Sequence, residues 1–163
     1  MKRIALLMAL LALALSLASC DLLAPEKTYT CEEMSITVKG MFSQQNDLHE
    51  AFDLILISPS AGVMVLREDL ADFEANDMDT DITVAEYAAI LMENNELDGS
   101  PVEEDGLTYF TYSETAEGTE FTYIGFCYSS PEAYWLVQCY STSEKFEDMK
   151  PAFITWAKSV TFS

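Results

Sequence analysis

Residue types able to do chemistry are plentiful in this chain, but few stand at spacings that bring them together. Asp77-Met78-Asp79-Thr80-Asp81 alternates carboxylates as the opening of a calcium loop does, because side chains at every second position can converge on one hard cation. The remainder departs from that loop. Counted from Asp77, the sixth position is Ile82 where glycine would make the turn, and the twelfth is Ala88 where a bidentate Glu is needed. Asp72 and Glu74 leave open a weaker calcium site, beside the alternative of a solvated acidic loop favouring the N-terminus of a following helix. No metal or cofactor is assigned. His49 is the only histidine, so neither a two-histidine metal site nor a histidine relay can be built, and its polar surroundings read as surface. A Cys or Ser nucleophile served by His49 lacks a nucleophile elbow. Glu32-Glu33 and Glu103-Glu104 are adjacent carboxylates, but such pairs are inevitable among 28 acidic residues, and nothing marks a member for a raised pKa. No catalytic residue is assigned, and the expectation is a protein that is not an enzyme.

The N-terminus carries a different kind of chemistry. Lys2 and Arg3 precede an apolar run from Ile4 to Ala18, the layout of an export signal and shorter than the roughly 20 residues a membrane-spanning helix needs. Leu17-Ala18-Ser19-Cys20 resembles the lipobox of bacterial lipoproteins. That resemblance implies cleavage after Ser19 and acylation of Cys20, which would fasten the chain to membrane lipid. Asp21, directly after it, resembles a retention signal for the cytoplasmic membrane in Gram-negative lipoproteins. The expected organisation is therefore a signal over residues 1–19, a lipidated tether over 20–30 and one domain over 31–163, held outside the cytoplasm on the outer face of the cytoplasmic membrane, with the outer membrane as the alternative. Residues 20–163 hold six basic and 28 acidic residues, a net charge of −22. Such a polyanion repels nucleic acid and anionic lipid headgroups. A soluble exterior and a site for a basic partner or cation are both compatible with that acidity.

Committing Cys20 to lipid leaves Cys31, Cys127 and Cys139, so one disulfide at most is intramolecular. If Ser129–Glu132 make a turn, Tyr128 faces Ala133 and Cys127 faces Tyr134, five positions from Cys139 and too far for a bridge. Cys31 with either partner and three buried free thiols remain the alternatives.

Periodicity supplies the framework. Met34 to Lys39 alternates as a half-buried strand and Gly40 ends it; Gln44 to Asp47 reads as a polar loop. Ala51–Ile57 and Val63–Arg67 flank Ser58-Pro59-Ser60-Ala61-Gly62, which is hairpin chemistry. Thr83-Val84-Ala85-Glu86 fits a capping box, and the helix after it gathers Tyr87, Ala88, Leu91 and Met92 on one face. Asp105-Gly106 opens a meander of Leu107–Ser113, Thr119–Tyr128 and Ala133–Ser141. A helix over about Lys150–Ser159, with Pro151 in its first turn and Phe153, Trp156 and Ala157 on a face that continues earlier from Phe146 and Met149, precedes a short edge strand at Val160–Phe162. The meander aromatics fall on both sheet faces, Leu107, Tyr109 and Thr111 on one and Phe110 and Tyr112 on the other. They are core if helices cover both faces and a groove for peptide, lipid or sugar if not.

This order of elements resembles the PsbP-like α/β/α sandwich, an α+β fold with an antiparallel sheet packed between helices. So do Tyr134-Trp135-Leu136-Val137-Gln138, Phe146, Lys150-Pro151 and Phe153-x-x-Trp156-Ala157-Lys158-Ser159-Val160-Thr161-Phe162. The likeness covers roughly residues 34–162 and consists of packing positions. It implies a non-catalytic accessory module that binds an unidentified protein of the cell envelope, and it carries no site residues. A small-ligand or calcium-binding lipoprotein is the alternative, and an envelope hydrolase the weakest one.

Overall fold

The computed structural model describes residues 24–45 and 51–163; Cys20, Asp21 and His49 lie outside the described residues. Among the described residues the chain forms ten strands and three helices. Strands β1 (Glu26–Cys31), β2 (Met34–Lys39) and β10 (Thr161–Phe162) make a three-stranded sheet with β2 in the middle. Strands β3 (Ser43–Gln45), β4 (Leu54–Ile57), β5 (Gly62–Asp69), β6 (Val102–Glu104), β7 (Leu107–Ala116), β8 (Thr119–Ser129) and β9 (Ala133–Thr142) make a seven-stranded sheet. Its order is β3-β4-β5-β9-β8-β7-β6, antiparallel throughout.

Helices cover both faces of the large sheet, and that explains β9. Ala133 to Ser141 is buried at every position, as a central strand roofed on both sides must be, so its sequence runs apolar instead of alternating. The pleat then divides it: Trp135, Val137 and Cys139 join one core, and Tyr134 and Leu136 join another. The first core lies under α3 (Ser143–Lys158), whose Phe146, Phe153, Trp156 and Ala157 are buried against it, and the three-stranded sheet closes it with Met34, Ile36 and Val38. The second lies under α1 (Leu70–Ala75) and α2 (Val84–Asn94), through Phe73, Tyr87, Ala88, Leu91 and Met92. A third cluster of strand residues contains Tyr123, which stacks between Tyr112 at 4.8 Å and Tyr140 at 5.1 Å. Gly62 is needed beside it, because a Cβ there would lie 2.2 Å from the Tyr140 ring.

Several expectations are corrected. Residues 26–30 are strand, not tether: β1 pairs along its whole length with β2, and buried Tyr29 donates its hydroxyl to the Phe42 carbonyl oxygen at 2.9 Å. With a single buried side chain in its interior this edge strand leaves almost no periodic signal, so the domain begins at Glu26, ahead of the expected Cys31. Gln44 and Gln45 belong to β3, a polar edge strand paired with β4. Helix α3 starts at Ser143, so Pro151 sits in its interior. Proline there forfeits one backbone bond, but Phe146 and Phe153 hold the two halves to the same core, with ring centroids 6.0 Å apart across it. The β8–β9 turn lies one residue later than expected: Ser130 donates its amide to the Ala133 carbonyl oxygen, Ser129 faces Tyr134 and Cys127 faces Leu136. Cys127 and Cys139 end on opposite faces of the sheet, and Cys31, Cys127 and Cys139 are all free thiols. The capping box, the Ser58–Gly62 hairpin, the three-strand meander and the terminal edge strand stand as expected.

Candidate functional site

Strand β5 carries an acid in phase with its buried face. Met64, Leu66 and Glu68 are alternate residues, so the pleat directs the Glu68 side chain under α1 and α2 instead of into solvent. Opposite it on β9 is Tyr134. Above it is Tyr87, the fourth residue of α2, whose position is set by the box at the helix start. There the Thr83 hydroxyl accepts from the Glu86 amide at 3.2 Å, and the Glu86 carboxylate accepts from the Thr83 amide at 2.7 Å.

The Tyr87 hydroxyl donates to Glu68 Oε2 at 2.5 Å. Its ring stacks on Tyr134 with centroids 4.8 Å apart, and Phe73 of α1 closes the group at 5.4 Å from Tyr134 and 6.4 Å from Tyr87. The Tyr134 hydroxyl shares its proton between the carbonyl oxygens of Ile82 at 2.7 Å and Thr80 at 3.0 Å, which pins the acidic α1–α2 loop to the sheet. Glu68, Phe73, Met78, Tyr87, Ile90, Leu91 and Asn94 line a cavity of about 10 Å³, room for roughly one water-sized group.

Burial pushes the Glu68 carboxyl above the usual carboxylate range. The negative charge of Asp72 pushes the same way, and the hydrogen bond from Tyr87 opposes both. Burial and the Glu68 charge hold the Tyr87 phenol well above its ordinary pKa, so it acts as a donor. The arrangement is one carboxylate at the floor of an aromatic, apolar cleft.

The residues singled out from sequence are dispersed. Asp77 to Asp81 form the loop between α1 and α2, where Asp79 accepts from the Asp81 amide at 2.9 Å. Among the described residues no three His, Cys, Asp or Glu side chains converge to hold a metal ion. Glu103 and Glu104 lie on exposed β6, with Glu104 accepting from the Tyr109 hydroxyl at 3.0 Å. Glu33, in the β1–β2 turn, pairs with Arg67 at 3.4 Å and accepts from Ser130 at 3.1 Å. Burial, followed by the charges of Asp53, Glu32 and Glu33, pushes the Cys31 thiol up to about 12, so it is no nucleophile at neutral pH. Tyr109 and Phe126 pack under α3, and Phe110 and Cys127 pack under α2. Sequence reasoning missed Glu68. The signal was there: an acid two residues beyond Leu66, on the apolar phase of a strand.

This arrangement of layers is a PsbP-like α+β fold in a single domain. No family profile and no curated protein matches the chain, but solved structures do. Cyanobacterial PsbP (CyanoP) from Synechocystis is 10% identical with a TM-score of 0.52, over 91% of this chain and 98% of its own. LpqN, involved in cell envelope biogenesis of Mycobacterium tuberculosis, is 12% identical with a TM-score of 0.51, over 85% and 91%. A protein from Bacteroides thetaiotaomicron is 10% identical with a TM-score of 0.53; the match covers 86% of this chain but 48% of that one, so this chain spans about half its length. At these identities the likeness is one of fold.

Proposed function

We propose that the protein is a lipoprotein of the bacterial cell envelope, tethered through acylated Cys20 on the outer face of the cytoplasmic membrane, where it binds a protein partner as a non-enzymatic accessory module. The observation that carries this reading is the polarity of the domain. Strand β1 begins at Glu26, which pairs with Lys39, four residues before the start of β3; Ser43 faces Ile57 and Ile57 faces Gly62. Entry is thus at the Gly62 end of the large sheet. Glu68 lies six residues along β5 from Gly62, roughly 20 Å away. A lipid on Cys20 is six residues from Glu26 and would hold the entry end within about 20 Å of the bilayer. The aromatic cleft then faces away from the membrane, toward whatever the tether brings it near. Among the described residues no helix is long and apolar enough to cross a membrane. The mycobacterial relative in fold is described as acting in cell envelope biogenesis, which supports the same setting.

The test is a crosslinking pull-down from native membranes with the lipidated protein beside a Cys20→Ala control. One partner recovered in near-stoichiometric amount with the anchored form alone is the expected result. Recovery of no specific protein by either form would sink the accessory reading.

A further inference from the structure

The charges around the cleft are all of one sign. Residues 68–104 contain thirteen acidic side chains and neither lysine nor arginine. Glu68 itself has the Tyr87 hydroxyl as its hydrogen-bond partner and Asp72 as a like-charged neighbour, and among the described residues no cation stands beside it. Arg67, one residue away, is on the other side of the pleat. It pairs there with Glu33 and Asp69, and its guanidinium lies 5.6 Å from the centroid of the Trp135 ring. Glu68 is half-buried, and a carboxylate partly withdrawn from water with no opposite charge beside it favours a cation brought to it.

The walls narrow what that cation is. Phe73 and Tyr87 are the aromatic walls beside the carboxylate, and Tyr134 stacks on Tyr87 at 4.8 Å as its support. Aromatic faces attract cations, most strongly where water is excluded. Met78, Ile90 and Leu91 add apolar surface suited to an alkyl stem, and Asn94 offers a further acceptor. The space is water-sized, which an ammonium head matches and a planar guanidinium exceeds. We infer that the Glu68 cleft takes a primary ammonium group, and that its ligand is a lysine side chain on a basic segment of a protein partner. The ammonium site stands on the cleft alone; the lysine-bearing partner rests on the accessory reading above. The remaining acidic side chains of residues 68–104 would steer such a segment toward the cleft.

The first probe is n-butylammonium, titrated into the intact protein in detergent micelles while the ring resonances of Phe73, Tyr87 and Tyr134 are followed by NMR, with n-butanol as the neutral control. Saturable shifts with the amine, none with the alcohol, and at least a tenfold weaker response in Glu68→Gln are expected. Native-like ring resonances of Trp135 and Phe153, which lie in the other core, guard against a folding defect in Glu68→Gln. Binding of butanol as tight as the amine, or an unchanged response in Glu68→Gln, would overturn the ammonium site. The two readings separate in the pull-down. Capture of the partner by Glu68→Gln as efficiently as by the native chain removes the lysine contact and leaves the accessory role standing. Amine binding without any captured partner removes the accessory role and leaves the ammonium site.

Discussion

The two faces of the seven-stranded sheet are made by the same strands and differ in kind. Under α3 lies the cluster of Val63, Val65, Phe126, Trp135, Val137, Cys139, Phe146, Phe153 and Trp156. Its polar atoms are at the margins and are satisfied: Trp135 Nε1 donates to the Ser130 hydroxyl at 3.1 Å, and the Tyr128 hydroxyl donates to the Ala157 carbonyl oxygen at 2.9 Å. Under α1 and α2, by contrast, the Glu68 carboxylate and the Tyr87 hydroxyl meet at a small cavity, and the Tyr134 hydroxyl is taken up by the α1–α2 loop. Strands β5 and β9 show the division within one residue step, since Arg67 faces Trp135 and Glu68 faces Tyr134. Apolar burial without polar compromise is what stabilises a fold. A half-buried charge without a counter-ion lowers stability, so the face that keeps Glu68 is the face where binding is expected to compensate.

The largest effect should come from the α3 side. Trp135 is fully buried, and Trp135→Ala is expected to cost about 5 kcal/mol, the upper end of aromatic truncation. Phe73→Ala on the other side should cost about 3 kcal/mol, because α1 is six residues long and can settle into the space left. Urea unfolding of the two variants measures both. Equal losses would erase the distinction between a face that holds the fold and a face that holds a site.

The fold was legible where apolar residues keep a period and the turn chemistry is strong. The Ser58–Gly62 hairpin, the capped helix α2 and the meander were of that kind. Strand β1 was not, because its pairing is carried by backbone bonds and Thr–Thr and Thr–Ser contacts across to β2, with Tyr29 alone buried in the strand's interior. Nor was the full length of α3, because Pro151 reads locally as a helix start and packing of Phe146 and Phe153 overrides it. The site was half legible. Tyr87 belonged to the helix face read from sequence and Tyr134 to the meander, but only the strand pairing shows that Glu68 lies beside them. The acids that looked like chemistry, Asp77, Asp79 and Asp81, lie in the α1–α2 loop and do not line the cavity.

The capping box offers a smaller and more local effect. Thr83→Ala removes the acceptor for the Glu86 amide and should cost about 1 kcal/mol. Hydrogen exchange should quicken in α2 while α3, which has no side-chain cap at its start, keeps its native rates. Exchange that quickens equally in both helices would show that the two faces open as one unit and that the site has no independent mobility.

The smallest effect has the most specific sign. Folding raises the Glu68 pKa, so the folded chain binds that proton more tightly than the unfolded chain, and stability is lost as pH rises through the folded value. Asp72, Tyr87 and the Cys127 thiol are the titratable neighbours, and Tyr87 and Cys127, both pushed up by burial, stay protonated across that range. Below the ordinary carboxylate range Glu68 is neutral in both states and Glu68→Gln should melt with the native chain. Above the raised value the variant should melt higher, by roughly 3 °C for a domain of this size. Thermal melts of the pair from pH 4 to 8 give the difference directly, free of the other carboxylates that titrate in both proteins. A difference that is flat across the range would mean that Glu68 is as well solvated as a surface acid. A difference of opposite sign would mean that a cation already neutralises it, and the contrast between the two faces would then lose its physical basis.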